Sequence, residues 1–87
     1  MTFDEIYSDI ELLPGWMGKA DAAVIFRLAT QTVGTIVEIG SYAGKTTRLL
    51  ALSSPESHII TIDSWAMGKM DKEFNEAVFF RHTFYSL

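Results

Sequence analysis

Ile36-Val37-Glu38-Ile39-Gly40-Ser41-Tyr42-Ala43-Gly44-Lys45-Thr46-Thr47-Arg48-Leu49-Leu50 is the stretch that decides the fold. It opens as a short β-branched run holding one acid, passes through two glycines, and continues into residues that suit a helix. Runs of this kind fit strands of a parallel sheet buried on both faces. Gly40 permits a sharp turn off the strand end, and Gly44 permits close passage of the backbone where the helix starts. A second β-branched run, His58 to Ile62, ends on Asp63. Between the two runs, residues 44–53 read as a crossover helix with Leu49, Leu50 and Leu52 toward the core, and Pro55 lies in the loop that follows. Strand, helix and strand make a βαβ unit, with the right-handed crossover expected of parallel connections.

Working toward the N-terminus, Thr2 followed by Glu5 matches a capping box. Behind it Phe3, Ile6, Ile10 and Leu13 recur at helical spacing, which predicts an amphipathic helix ending near Pro14-Gly15. Residues 18–33 read as a second helix, with Ala20, Val24 and Leu28 on one face and Ile25 and Ala29 beside it, stopped by Gly34. Toward the C-terminus a third helix is expected from about Asp71, carrying Phe74, Val78 and Tyr85 near helical spacing. The fold class is α/β. Two strands are too few for a parallel sheet, which needs helices over both faces and usually three or more strands. The chain therefore reads as the first part of a Rossmann-like, doubly wound parallel sheet, whether a truncated product, a fragment or a chain completed by a partner. Its parts are N-terminal helices over 1–34, the βαβ unit over 35–63, and a loop and helix over 64–87.

Bulk properties narrow the function classes. Eighty-seven residues, 48% of them apolar, suit one globular unit rather than a disordered tail. No apolar run approaches the roughly 20 residues that span a bilayer, and the acidic start Met-Thr-Phe-Asp-Glu is unlike a secretory signal, so a cytoplasmic location is expected. Without cysteine there are no disulfides and no zinc–thiolate sites. Residues 1–40 carry six acids against two bases, and residues 41–87 carry five of each. Such a chain has no basic stripe to neutralise phosphates, so nucleic acid is not an expected partner.

The glycine turn invites two phosphate-binding readings, and both fail on spacing. A P-loop places four residues between its first glycine and Gly-Lys-Ser/Thr, so that backbone N–H groups wrap a phosphate. Here three residues separate Gly40 from Gly44, and Ile39 stands where a P-loop would need glycine. In the dinucleotide fingerprint Gly-x-Gly-x-x-Gly, Tyr42 occupies the second glycine position and blocks the close approach of a pyrophosphate. What remains offers three chemistries. The start of the crossover helix attracts a carboxylate, Glu38 at the strand end suits a cationic amine, and Asp63 can accept both hydroxyls of a ribose. Carboxylate, amine and ribose without phosphate describe S-adenosyl-L-methionine.

Val37-Glu38-Ile39-Gly40-Ser41-Tyr42-Ala43-Gly44-Lys45-Thr46-Thr47 resembles motif I of class I S-adenosylmethionine-dependent methyltransferases, in the branch with Glu-Ile-Gly-x-x-x-Gly-x-Ser/Thr-Thr. Gly15-Trp16 before the motif and Ile62-Asp63-Ser64-Trp65 after it are similar to the same branch, so the resemblance covers about residues 14–80. It implies that Glu38, Gly40, Ser41, Tyr42 and Gly44 face the methionyl part of the cofactor. It further implies that Asp63 holds the ribose and that Ser64 or Trp65 flanks the adenine. Family members continue through further strands that position the methyl acceptor. No acceptor site is recognisable here, so methyl transfer by these residues alone is not expected, and the acceptor stays unassigned. Two other readings stand beside this one: a non-catalytic βαβ module that binds a partner, and a different nucleotide-binding α/β protein.

Several residues carry plainer expectations. Glu38 could cap a turn or pair with Lys45, and Asp63 could be a strand-end turn residue. Lys45 reads as a solvated first-turn lysine, and Thr46 and Thr47 as satisfying local backbone groups. Trp16 is expected to pack under the first helices. Tyr42 either shields the cofactor or covers the turn, and Trp65 either stacks on adenine or packs on the sheet edge. His58 reads as a surface residue, and His82 beside Arg81 has no second ligand at metal spacing, so no metal is expected. Phe79, Phe80, Phe84 and Tyr85 are more than one helix face hides in a short chain; left exposed, they predict self-association or instability.

Overall fold

The computed structural model describes residues 1–64, 79 and 81. Three helices and two strands follow one another as α1 (Phe3–Ile10), α2 (Lys19–Thr30), β1 (Thr35–Ile39), α3 (Lys45–Ser53) and β2 (His58–Ile62). β1 and β2 pair in parallel, with Ile36 beside Ile59, Val37 beside Ile60 and Glu38 beside Thr61. The chain is thus α/β, built on a βαβ unit, and both strands fall where their β-branched runs predict. The expected third helix lies outside the described residues apart from Phe79, which is 2% exposed, and Arg81. Phe79 is therefore not among the exposed aromatics that the sequence suggests.

α1 begins as expected. The Thr2 backbone N–H donates to Glu5 Oε1 at 2.8 Å, and the Glu5 N–H donates to Thr2 Oγ1 at 3.2 Å, which closes the capping box. The helix ends at Ile10, short of Pro14, and the Leu13 N–H folds back onto the Ile10 carbonyl at 3.0 Å. Ile6 and Ile10 are fully buried with Ala22 of α2 and Leu49 of α3, and Phe3, Leu13, Met17, Ile25 and Phe26 pack around them. α3 is the central element, touching α1, α2 and β2.

The buried face of α2 is not the one its sequence suggests. Ala22 and Ala29 are buried, Ile25 and Phe26 pack against the core, and Val24 and Leu28 face solvent. Alanines at the contact let α2 approach closely, so the small residues rather than the larger ones lie inward. The helix stops at Thr30, where the Thr30 and Thr32 hydroxyls donate to the Arg27 and Leu28 carbonyls at 2.9 and 2.7 Å. Gly34, at φ +133°, then turns the chain into β1.

The strands also depart from expectation. Only one face of the pair is covered: Ile36, Glu38, Ile59 and Thr61 point inward, whereas Val37 is 56% and Ile39 83% exposed, with Ile60 and Ile62 exposed beside them. Among the described residues no helix packs across that second face. None of the described helices is long and apolar enough to cross a membrane.

Candidate functional site

The carboxyl ends of β1 and β2 lead into the glycine turn. Gly40 and Gly44 adopt φ of +88° and +93°, a left-handed region in which a side chain is strained, so both positions favour glycine, Gly40 for the sharp turn its place at the strand end predicts and Gly44 for its own positive φ. The Gly40 N–H donates to the Ile62 carbonyl at 2.8 Å, which extends the ladder by one rung. The Gly44 N–H closes the turn on the Ser41 carbonyl at 2.8 Å. Tyr42 also has positive φ, at +43°. Its backbone N–H donates to Asp63 Oδ2 at 2.6 Å, so the acid that ends the second strand holds the middle of the turn.

Glu38 is buried behind the turn. Its Oε1 accepts hydrogen bonds from the Thr47 hydroxyl on α3 and, at 2.9 Å, from the Thr61 hydroxyl on β2. One carboxylate oxygen therefore joins β1, α3 and β2. Thr47 does not satisfy a local backbone group as expected, and the Thr46 hydroxyl turns to Met17 Sδ at 3.7 Å. Both threonines are recruited across the fold because α3 lies against the sheet on one side and the 14–17 segment on the other.

Lys45 is not solvated. It is only 7% exposed, and its Nζ donates to the Glu11 carbonyl at 3.2 Å rather than pairing with Glu38. A Cβ at Gly15 would lie 3.2 Å from Lys45 Cδ, so the lysine stem runs directly beneath Gly15. Arg48, one turn on, is paired with Asp9 of α1, with Arg48 Nη2 3.2 Å from Asp9 Oδ2. Two buried cations thus fasten the N-terminal segment onto α3.

This fastening opens a cleft of about 330 Å³ between residues 14–17 and α2 on one wall and the glycine turn with the start of α3 on the other. Trp16 stands at its rim, 89% exposed, with its ring centroid 5.3 Å from that of Tyr42. Trp16 is therefore not packed under the helices, and Tyr42 covers the turn with a second ring resting on it. Inside the cleft, the Ser41 hydroxyl is buried without a hydrogen-bond partner. Gly44 stands at the capping position before α3, so no side chain caps the first N–H groups of that helix.

Of the residues expected to contact a cofactor, Gly40, Ser41 and Tyr42 line the cleft, and Gly44 adjoins it at the start of α3. Asp63 abuts the turn, and Ser64 follows it at an exposed position. Glu38 is drawn into the interior, and Trp65 lies outside the described residues. Sequence reasoning missed Asp21 on the cleft wall and Thr61 beneath Glu38. Thr61 was open to inference, since aligning the two equal strands end to end places it opposite Glu38. Among the described residues no cluster of His, Asp and Glu is arranged to hold a metal ion. No protein-family model and no curated protein matches the chain.

Proposed function

We propose that this chain is the N-terminal, S-adenosylmethionine-binding portion of a class I methyltransferase, its βαβ unit opening a Rossmann-like, doubly wound sheet. The observation that carries the reading is Asp63 against the glycine turn, with its carboxylate 2.6 Å from the Tyr42 N–H. Ligands of open α/β sheets sit beyond the carboxyl ends of the strands. At that end an acid, a positive-φ turn and an uncapped helix start come together.

The residues fit the donor molecule. Residues 40–44 present backbone to its methionyl part. An ionised carboxylate offers about four acceptor sites, so Asp63 can hold the Tyr42 N–H and still receive ribose hydroxyls. By the resemblance, Ser64 or Trp65 would flank the adenine. Glu38 acts from beneath by keeping β1, α3 and β2 in register. The bound donor would supply a sulfonium methyl group; these residues bind it and orient it, which is most of what methyl transfer asks of a protein.

An amide NMR titration of the chain with S-adenosylmethionine tests the reading. Shifts at Gly40, Gly44 and Asp63, lost in Asp63→Ala, are expected. A dispersed spectrum that S-adenosylmethionine leaves unmoved, while NAD or ATP moves it, would replace this reading with another nucleotide-binding one.

A further inference from the structure

Trp16 presents its indole to water from a stretch of chain that is itself tied down. Before it, the Glu11 carbonyl accepts the Lys45 ammonium at 3.2 Å, and Gly15 lies over the lysine stem. After it, Met17 Sδ accepts the Thr46 hydroxyl at 3.7 Å. Both fastenings come from the first turn of α3, so Trp16 is fixed at the rim of the cleft while remaining 89% exposed. An indole is a large apolar surface that proteins bury for the most part. Tyr42, whose ring lies 5.3 Å from that of Trp16 at 40°, is held as well, at a positive φ of +43° with its N–H on Asp63. Side chains kept in a disfavoured backbone region by their surroundings gather at ligand clamps.

The geometry selects what can bind. Rings this close are already in contact with each other, so no slot lies between them for a flat ligand, and stacking on the indole is one-sided. A wholly apolar molecule needs enclosure, because pockets for such ligands bury most of their surface. A cation drawn to the ring face would meet the Lys45 ammonium, whose side chain lines the same cleft. A neutral pyranose meets all these conditions. Its axial C–H groups form one apolar face for the indole, and the hydroxyls around its edge stay in water. Ser41 supplies a polar partner: its hydroxyl lines the cleft, is buried without a hydrogen-bond partner, and can either donate to a sugar hydroxyl or accept from one.

We infer that Trp16, backed by Tyr42, is a stacking platform for the ring of a neutral sugar, one hydroxyl of which reaches Ser41. The inference goes beyond the methyl-donor reading, which gives Trp16 no part and takes backbone from residues 40–44.

Titration of the full chain with methyl β-D-glucopyranoside, followed by NMR, tests the platform. The two tryptophans give two indole N–H signals, and Trp16→Phe assigns them. A saturable shift of the Trp16 signal is expected, with a Kd in the millimolar range, together with a shift of the Tyr42 amide, at which the variants are read. Trp16→Ala should weaken binding at least tenfold, and Trp16→Phe, which keeps a smaller ring, should retain part of it. Ser41→Ala should weaken it roughly two- to tenfold, as loss of a neutral hydrogen bond does. An amide spectrum of each variant checks the fold. Phenol and tetramethylammonium, titrated in parallel, stand for a flat apolar ring and a cation. The inference is overturned if the glucoside moves neither signal, if Trp16→Ala binds it as well as wild type, or if phenol or tetramethylammonium binds more tightly. These titrations contain no S-adenosylmethionine, so the methyl-donor reading stands or falls on its own experiment.

Discussion

Asp63 Oδ2 accepts the backbone N–H of Tyr42 at 2.6 Å, across 21 residues of sequence, and so ties the end of β2 to the middle of the turn that leaves β1. The bond restrains a residue whose φ of +43° is unfavourable for a side chain of this size. Strain and restraint thus sit in one turn, between the two glycines that make it possible.

The turn predicts opposite outcomes for two substitutions. Gly40→Ala should destabilise the chain by about 1–2 kcal/mol, the cost of placing a Cβ in the left-handed region. No atom lies within 4 Å of that Cβ, so the cost is conformational rather than steric. Tyr42→Gly removes the same kind of strain but also the ring against Trp16, and should leave stability within about 1 kcal/mol of wild type. Urea unfolding of the two variants measures both; equal losses would mean that the ring contact, not the backbone, governs Tyr42.

Glu38 joins three elements through one oxygen, so removing it should cost more than removing either hydroxyl. Glu38→Ala leaves the Thr47 and Thr61 hydroxyls without their acceptor in the interior and should destabilise by about 2–3 kcal/mol. Thr61→Val, which keeps the shape and removes one donor, should cost about 1 kcal/mol. If Glu38→Ala abolishes nucleoside binding while unfolding shows no loss of stability, Glu38 contacts the ligand after all.

These two clusters mark how far the sequence was legible. Both strands, the capping box and the sharp turn at Gly40 follow from local rules: β-branched runs, Thr2 against Glu5, and glycine where the chain must turn off a strand. What local rules could not supply is which surface meets which. α2 is apolar around most of its circumference, so its inward face was chosen by α3, through Ala22 and Ala29. The burial of Lys45 depends on Gly15 lying over its stem, and the exposure of Trp16 on how residues 14–17 cross α3. Asp21 joins the site for the same reason: its place on the cleft wall is set by packing between helices distant in sequence.

Arg48 and Asp9 fasten α1 to α3, and the two partners differ in burial, at 7% and 34% side-chain exposure. Asp9→Ala takes the carboxylate away from a nearly buried guanidinium and should destabilise by about 3 kcal/mol. The double variant Asp9→Ala, Arg48→Met should recover part of that loss, because it removes the buried charge and keeps an apolar stem. A double-mutant cycle in urea at low and high salt measures the coupling. Little dependence on salt is expected for a pair so shielded, and a coupling that vanishes in salt would show that water reaches it.

The capping box gives α1 a pH dependence. The Glu5 carboxyl is held below its ordinary value, first by the Thr2 backbone N–H it accepts and then by the Thr2 hydroxyl. A lowered folded-state value means that the contribution is complete above the unfolded carboxylate range and is lost as pH falls through the folded value. The stability difference between wild type and Glu5→Gln should therefore be constant above about pH 5 and shrink below about pH 4. Unfolding curves collected across that range test it, and a difference that grows on acidification would reverse the assignment.

The helical core and the uncovered face of the strand pair should answer substitution very differently. Ile6, fully buried where α1 meets α2 and α3, should cost about 2–5 kcal/mol when cut to alanine. Val37 stands on the uncovered face, and Val37→Thr keeps the β-branched shape there. It should change stability by no more than about 0.5 kcal/mol, the usual range for an exposed position. A double variant that adds Ile60→Thr, the register neighbour of Val37, should remain as stable and raise the concentration at which the chain begins to associate. Unfolding measured beside sedimentation separates the two quantities. A large loss of stability from Val37→Thr would mean that something covers this face in solution.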